Sequence, residues 1–401
     1  MKVCIISGYP PNVGRGAEST SMLVKSLASQ NSEIVVLGNT APDKAMEEKV
    51  ENVTLRRVWT PNSFKGIFNL FKAVVSANPD VVHVIYGYLY YGKPIFSAIF
   101  IMSLLSALRM LRRPVIVTIH QVFSPAEISN GSLSIFATGL PMTFTKIGFQ
   151  FVNRILGCLS SKVIVVHKEH ATILARDYGL KNVVYIPISL SHDHTIAKDE
   201  AKSKLGLEKK KPILVFGFLA PYKGVEYAIS AMPTILKEIP NAVMVVAGTA
   251  VPSLSHRKET VDYIFGLKKL VKDLGMENNI VMKNEYIPGE DVPLYFGSCD
   301  VIILPNTQQT GPSEVWRLAS IFGIPNIASD IEYFRKDIVN GETGILVPAA
   351  DSDGIAKASI GLLENECLRQ RIIGNLRSVS ETYKAANIAQ KHEKLYQSVL
   401  G

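Results

Sequence analysis

Short apolar runs separated by longer amphipathic or polar stretches set the rhythm of this chain. In the first half KVCIIS, EIVVLG, PDVVHVIY, PVIVTIH and KVIVVH are each mostly apolar on both faces. That is the pattern of strands covered on both sides in a parallel sheet. Between the first two lies AESTSMLVKSLASQ, a predicted helix with Leu23 and Leu27 on one face. Around residues 187–211 the sequence turns polar and charged, and reads as an inter-domain connection. The alternation then restarts. PILVFGFL, AVMVVAG, NIVMKNEYI, CDVIILP and PNIASD read as strands, GVEYAISAMPTILKEIP and YIFGLKKLVKDLG as helices, and TGILVP leads into closing helices. The rhythm predicts an α/β chain with two Rossmann-like, doubly wound domains facing each other across a cleft. The expected boundaries are 1–195 and 196–380, with a helix over 381–401 packing back on the first domain. Ligands of such sheets bind at the C-terminal strand ends.

One such end is TGPSEVWRLASIFGIP, residues 310–325, which follows CDVIILP after four residues. Gly311 and Pro312 break the chain, and Ser313 can cap a helix from Glu314 to Gly323. A loop and helix start in that position is a ready anion site. Glu314 is either a working residue or a first-turn charge that complements the helix dipole.

Length and charge narrow the partners. The 401 residues suffice for two full cores, and a net charge of +8 suits an anionic partner such as a nucleotide, a phospholipid surface or a nucleic acid. Nucleic acid has only the net charge in its favour, with no RNA-recognition signature or aromatic-studded basic strand, and is not expected. The cysteines, Cys4, Cys158, Cys299 and Cys367, form no CxxC, and read as buried thiols of a reducing compartment. The N-terminus has no cleavable signal layout, which with the thiols points to the cytoplasm and leaves the sequons at 52–54 and 130–132 to chance. The most apolar run, PIFSAIFIMSLLSAL over 94–108, has 15 residues and falls short of a bilayer span, so it is a buried core helix or an interfacial one.

Most catalytic fingerprints are missing. Ser19 stands where GxGxxG needs its third glycine, and no Walker motif, HExxH or GxSxG occurs. DSD at 351–353 opens a helix and reads as an N-cap, and HKEH at 167–170 lacks a third metal ligand. Three loops fit a phosphate: GRGAE with Gly14, Arg15 and Gly16, GFLAPYKG with Lys223, and TGPSEVW. Alone each is an ordinary strand-to-helix loop. Together, at the strand ends of two halves, they favour a nucleotide diphosphate.

The second half resembles the C-terminal domain of family-4 retaining glycosyltransferases with the GT-B fold. FGFLAPYKGVEYAISA is similar to their donor loop, YIPGEDVPLYFGSCDVIILPN to their nucleobase-side segment, and FGIPNIASDIEYFRKDIVNGETGILVP to the stretch that ends their donor site. PPNVGRGAE and PDVVHV match N-domain patterns. The resemblance implies a nucleotide-diphosphate sugar as donor substrate, no other cofactor, no metal, no protein nucleophile, and front-face attack with retention. It places Gly14, Arg15, Gly16, Gly217, Phe218, Lys223, Gly248, Tyr286, Ile287, Gly311, Pro312, Ser313, Val315 and Leu318 around the donor, and His120, at a strand end on the cleft, against the donor sugar. His83 sits similarly to His120.

The family's E-x7-E signature is altered. Aligned through GIPNIASD, its first Glu becomes Thr310 and its second Leu318, while Phe218 stands where the donor loop often has Arg. Leu318 cannot hold a ribose diol, and Thr310 offers only a hydroxyl. Either Glu314, Thr310 and backbone amides take over, giving an active variant, or the protein is a non-catalytic homologue that binds a nucleotide sugar or serves as a partner subunit. The acceptor, a glycan, a lipid-linked sugar or a small molecule, belongs to the first half. Residues 94–162 carry Arg109, Arg112, Arg113, Lys146, Arg154 and Lys162 against one acid, Glu127, beside long apolar stretches. That composition suits an anionic membrane surface at the inner face of the cell membrane, or core helices with a solvated basic face.

Overall fold

The structure is a computed structural model that describes residues 1–11, 16–30, 32–42, 44–125, 141–188, 196–250, 258–308 and 313–401. Two compact units divide the chain, one of residues 1–191 with 383–401 and one of residues 192–382.

The first unit runs β1 (Lys2–Ile6), α1 (Ala17–Ala28), β2 (Glu33–Asn39), β3 (Glu47–Val50), β4 (Val53–Trp59), α2 (Lys65–Ala77), β5 (Val81–Tyr86), α3 (Pro94–Arg109), β6 (Val115–Ile119), α4 (Met142–Leu159), β7 (Lys162–Val165), α5 (Lys168–Tyr178) and β8 (Val183–Tyr185). Its sheet has the order β3-β4-β2-β1-β5-β6-β7-β8. All its pairs are parallel except β3 with β4. Alternate residues feed two cores, as the doubly apolar strands predict. Cys4, Ile6, Val82 and Val84 pack with Leu104 of α3 and Leu156 of α4, while Val3, Ile5, Val81 and Ile85 pack with Leu23 and Leu27 of α1.

The second unit runs α6 (Lys198–Lys204), β9 (Lys211–Phe216), α7 (Val225–Glu238), β10 (Ala242–Ala247), α8 (Lys258–Asp273), β11 (Ile280–Lys283), α9 (Val292–Ser298), β12 (Val301–Leu304), α10 (Glu314–Ile321), β13 (Asn326–Ser329), α11 (Glu332–Asp337), β14 (Ile345–Val347), α12 (Ser352–Glu364) and α13 (Glu366–Glu381). Its all-parallel sheet has the order β11-β10-β9-β12-β13-β14. The last helix, α14 (Ala385–Ser398), lies against α1 of the first unit and adds Ile388 and Tyr396 to its core.

Several elements differ from the apolar pattern for identifiable reasons. Strand β4 goes unpredicted because Arg56 and Arg57 interrupt VTLRRVW, and β3 because its EEKV is mostly polar and exposed throughout. Arg57 is nonetheless buried, donating to the Pro10 carbonyl at 2.7 Å and facing Glu48 at 3.5 Å. The polar connection at 187–211 contains α6, whose Lys198 and Lys202, one turn apart, both pair with Asp300 at 2.6 and 3.0 Å. The core-helix reading of 94–108 holds for the face bearing Phe100, Leu104 and Leu108, but Ile95 and Ile99 are exposed. All four cysteines are free, and only Cys4 and Cys299 are buried, because Cys158 and Cys367 fall on outward positions of α4 and α13. The DSD reading as a cap is correct, since the Asp351 carboxylate accepts from the Gly354 N–H at 2.9 Å.

Candidate functional site

In the second unit the sheet order reverses between β9 and β12, the place where doubly wound sheets bind ligands. β9 is followed by Gly217, whose φ of +111° favours glycine and whose N–H donates to the Ala247 carbonyl at 3.0 Å. Gly248 follows β10 with φ of +145°, and a Cβ there would lie 2.0 Å from the Gly217 carbonyl oxygen. These two backbones therefore touch in a way that no side chain permits. The loop then runs through a single 3-10 turn, Pro221–Lys223, into Gly224 and α7.

A second loop, after β12, is clamped to the first. The Thr307 N–H and hydroxyl both donate to the Tyr222 carbonyl, at 2.9 and 3.3 Å. Helix α10 starts as its sequence predicts: the Ser313 hydroxyl accepts from the Trp316 N–H at 3.2 Å. Val315 in its first turn rests on Gly217, where an added Cβ would be 3.5 Å from Val315 Cγ2. Gly217, Phe218, Lys223, Asn306 and Val315 line one hollow.

Lys223 is half-buried and projects from this loop. Burial lowers its ammonium pKa from the usual lysine value, while the Glu314 carboxylate acts in the opposite sense. A cation stripped of part of its water gains most from an anionic ligand, and α10 aims its first-turn amides at the same end of the sheet. A point charge and a helix start thus meet at one end of the sheet, an arrangement whose chemistry suits an anion.

Of the residues proposed from the sequence, Gly217, Phe218, Lys223, Gly248, Ser313, Glu314 and Val315 gather at this switch point. Glu314 is exposed in the first turn of α10. Leu318, one turn on, is buried and does not line the hollow. Tyr286 and Ile287 follow β11 at the edge of the sheet, Tyr286 exposed, and neither lines the hollow. Thr310, Gly311 and Pro312, with Gly14 and Arg15, lie outside the described residues. Asn306 was missed, although it ends the VIILPN run.

The first unit has its own switch point, between β1 and β5. Gly16 caps α1 with φ of +72°, and a Cβ there would meet the Tyr90 ring at 2.7 Å. Tyr90 lies 5.4 Å from His120, centroid to centroid. Burial pushes the His120 pKa down to about 4, so the ring is neutral near neutral pH. His120 shares a small pocket with Thr20, Thr118 and His392 of α14. Sequence reasoning missed Tyr90 and His392, whose only signals are the aromatic run YGYLYYG and a histidine in a polar helix. His83 is a structural hydrogen bonder: buried, it meets Tyr396 Oη at 2.8 Å and Thr118 Oγ1 at 2.7 Å.

Residues 197–379 match the family described as Glycosyl transferases group 1, and residues 16–189 match the Glycosyl transferase 4-like domain. The chain belongs to the GT-B glycosyltransferases. Within the family it is 26% identical over 190 residues to a phosphatidyl-myo-inositol mannosyltransferase of Mycobacterium leprae, covering 47% of each chain. It is 30% identical over 192 residues to an uncharacterized glycosyltransferase of Methanocaldococcus jannaschii, covering 47% of this chain and 45% of that one. The chain thus spans about half the length of the curated relatives it matches. Among solved structures, HepE of Anabaena in complex with UDP superposes with a TM-score of 0.71 at 16% identity, covering 99% of this chain and 100% of HepE. Sucrose-phosphate synthase of Thermosynechococcus elongatus does so at 0.70 and 18%, covering 100% and 99%. At those identities the likeness is one of fold.

Proposed function

We propose that the protein is a retaining hexosyltransferase that moves a sugar from a nucleotide-diphosphate donor to a glycan, lipid-linked or small-molecule acceptor. The observation that carries the reading is the meeting of Lys223 with the start of α10 over Gly217, at the switch point of the second unit. Lys223 and the α10 amides would take the negative charge that builds on the departing diphosphate, without a metal ion. Gly217 would let backbone approach the ligand closely, and Gly248 makes room for the Gly217 carbonyl behind it. Tyr286 and Ile287 fit a nucleobase at the edge of this sheet. Thr310 and Glu314 are the groups left to face the donor sugar, and His120, neutral and partly shielded, suits a hydrogen bond to a sugar hydroxyl. HepE has been solved with UDP and with UDP-glucose, which supports a nucleotide sugar as ligand here. The proposed setting is cytoplasmic, at the inner face of the cell membrane, and the basic stretch of residues 94–162 supports it.

A second reading is favoured by Leu318, which is buried and leaves that turn of α10 without a carboxylate. Under it the protein binds a nucleotide sugar without turning it over. Incubation with a panel of nucleotide sugars, following free UDP or GDP, decides between the two. Release with one donor is expected. No release with any donor, together with thermal stabilisation by a nucleotide diphosphate, would establish the binding protein instead.

A further inference from the structure

Helices α3 and α4 follow successive parallel strands and pack side by side. Their solvent faces are unusual. Ile95 and Ile99 of α3 are 45% and 43% exposed, and Phe144, Ile147 and Phe151 of α4 are 63%, 55% and 56% exposed. Between them runs an apolar groove of about 200 Å3, lined by Ile95, Ile99, Met102, Phe144 and Phe151. Gly148 also lines it and faces open space, since a Cβ there would meet nothing within 4 Å.

Farther along both helices the face becomes basic. Arg109, Arg112 and Arg113 surround a second hollow of about 400 Å3 with Leu159 and Ser161. From Ile95 to Arg109 the helix rises roughly 20 Å, at about 1.5 Å per residue. Lys146, Arg154 and Lys162 add to the same region, and its described part contains no carboxylate. Among the described residues none of the six bases forms an ion pair, and Arg113 meets only Asn78 Oδ1 at 3.0 Å.

Exposed phenylalanines and aliphatics beside unpaired arginines match a surface that is apolar inside and anionic at its rim. A second copy seated by the same face would set these bases against themselves, which charge repulsion disfavours. We propose that the α3–α4 face docks on an anionic lipid bilayer, with a hydrocarbon chain in the groove and lipid phosphates on Arg109, Arg112 and Arg113. The part of this that rests on the transferase reading is the consequence that docking brings a lipid-linked acceptor to the first unit.

The test is flotation of the full chain with vesicles of phosphatidylcholine alone or mixed with phosphatidylglycerol. Recovery with the anionic vesicles should be at least tenfold higher and should fall as salt rises. The R109E/R112E/R113E variant and, separately, the F144S/F151S variant should each lose about tenfold in recovery with an unchanged melting temperature, because all five side chains lie on the surface. Equal recovery with both vesicle types, none with either, variants that float like the parent, or a dimer that these variants break would each overturn the proposal. Inorganic phosphate that competes as well as vesicles do would also overturn it. Nucleotide release measured without vesicles keeps the two ideas apart: floating protein that releases no nucleotide sinks the transferase reading alone, and release without flotation sinks the docking alone.

Discussion

The two units repeat one architecture and furnish its switch point with opposite chemistry. In the first unit the strand ends meet Tyr90, His120 and His392, rings and neutral imidazoles with little charge. In the second they meet Gly217, packed on a buried Gly248, with Lys223 and the start of α10, so the loop presents backbone and a cation. The sheet supplies the place, and the loop residues supply the specificity. Glycine lets a ligand approach main-chain amides and so suits phosphate, while rings and hydroxyl partners suit a polyol.

The contrast can be broken at its glycines first. Gly248→Ala forces a Cβ to 2.0 Å from the Gly217 carbonyl oxygen. It should cost about 2–4 kcal/mol of stability and remove nucleotide binding, as measured by denaturant unfolding and calorimetry. The first unit should respond to acid instead. His83 and His392 are held below their usual 6.5, His392 at about 4, mainly by burial. The unfolded chain therefore takes up protons before the folded one does, and stability falls as pH drops from about 6.5 toward 4. His392 alone accounts for roughly 3 kcal/mol over that range. His392→Asn should flatten the acid limb of a melting-temperature profile, and an unchanged limb would count against the buried-imidazole account.

Smaller changes sharpen the roles at α10. Ser313→Ala removes the bond to the Trp316 N–H and should cost about 1 kcal/mol, seen in the unfolding midpoint. Glu314→Gln separates a dipole charge from a working carboxylate. As a dipole charge it should change stability by roughly 0.3–1 kcal/mol and leave turnover intact, whereas a large loss of turnover at unchanged affinity would make Glu314 a catalytic residue.

The alternating apolar runs carry the two sheets because parallel strands bury both faces and need no partner information to be seen. The Ser313 cap and the glycine turns were legible for a similar reason, since each is a local conformational demand. What the pattern hides is whatever depends on distant partners. Strand β4 is disguised by Arg57, whose burial is made tolerable by Pro10, 47 residues away, and by Glu48 on the neighbouring strand β3. His392 reaches the β1–β5 switch point only because α14 returns to the first unit. The outward phenylalanines of α4 look in sequence like any core helix, and only packing reveals which face is left uncovered.

The central claim is that Lys223 and the start of α10 hold the diphosphate of a nucleotide. Calorimetric titration with UDP and with GDP, on the parent and on Lys223→Ala, tests it most directly. Loss of a charge-assisted contact worth about 1.5–3 kcal/mol should weaken binding at least tenfold, with the melting temperature of the ligand-free protein unchanged. Equal affinity in the two proteins would contradict the account.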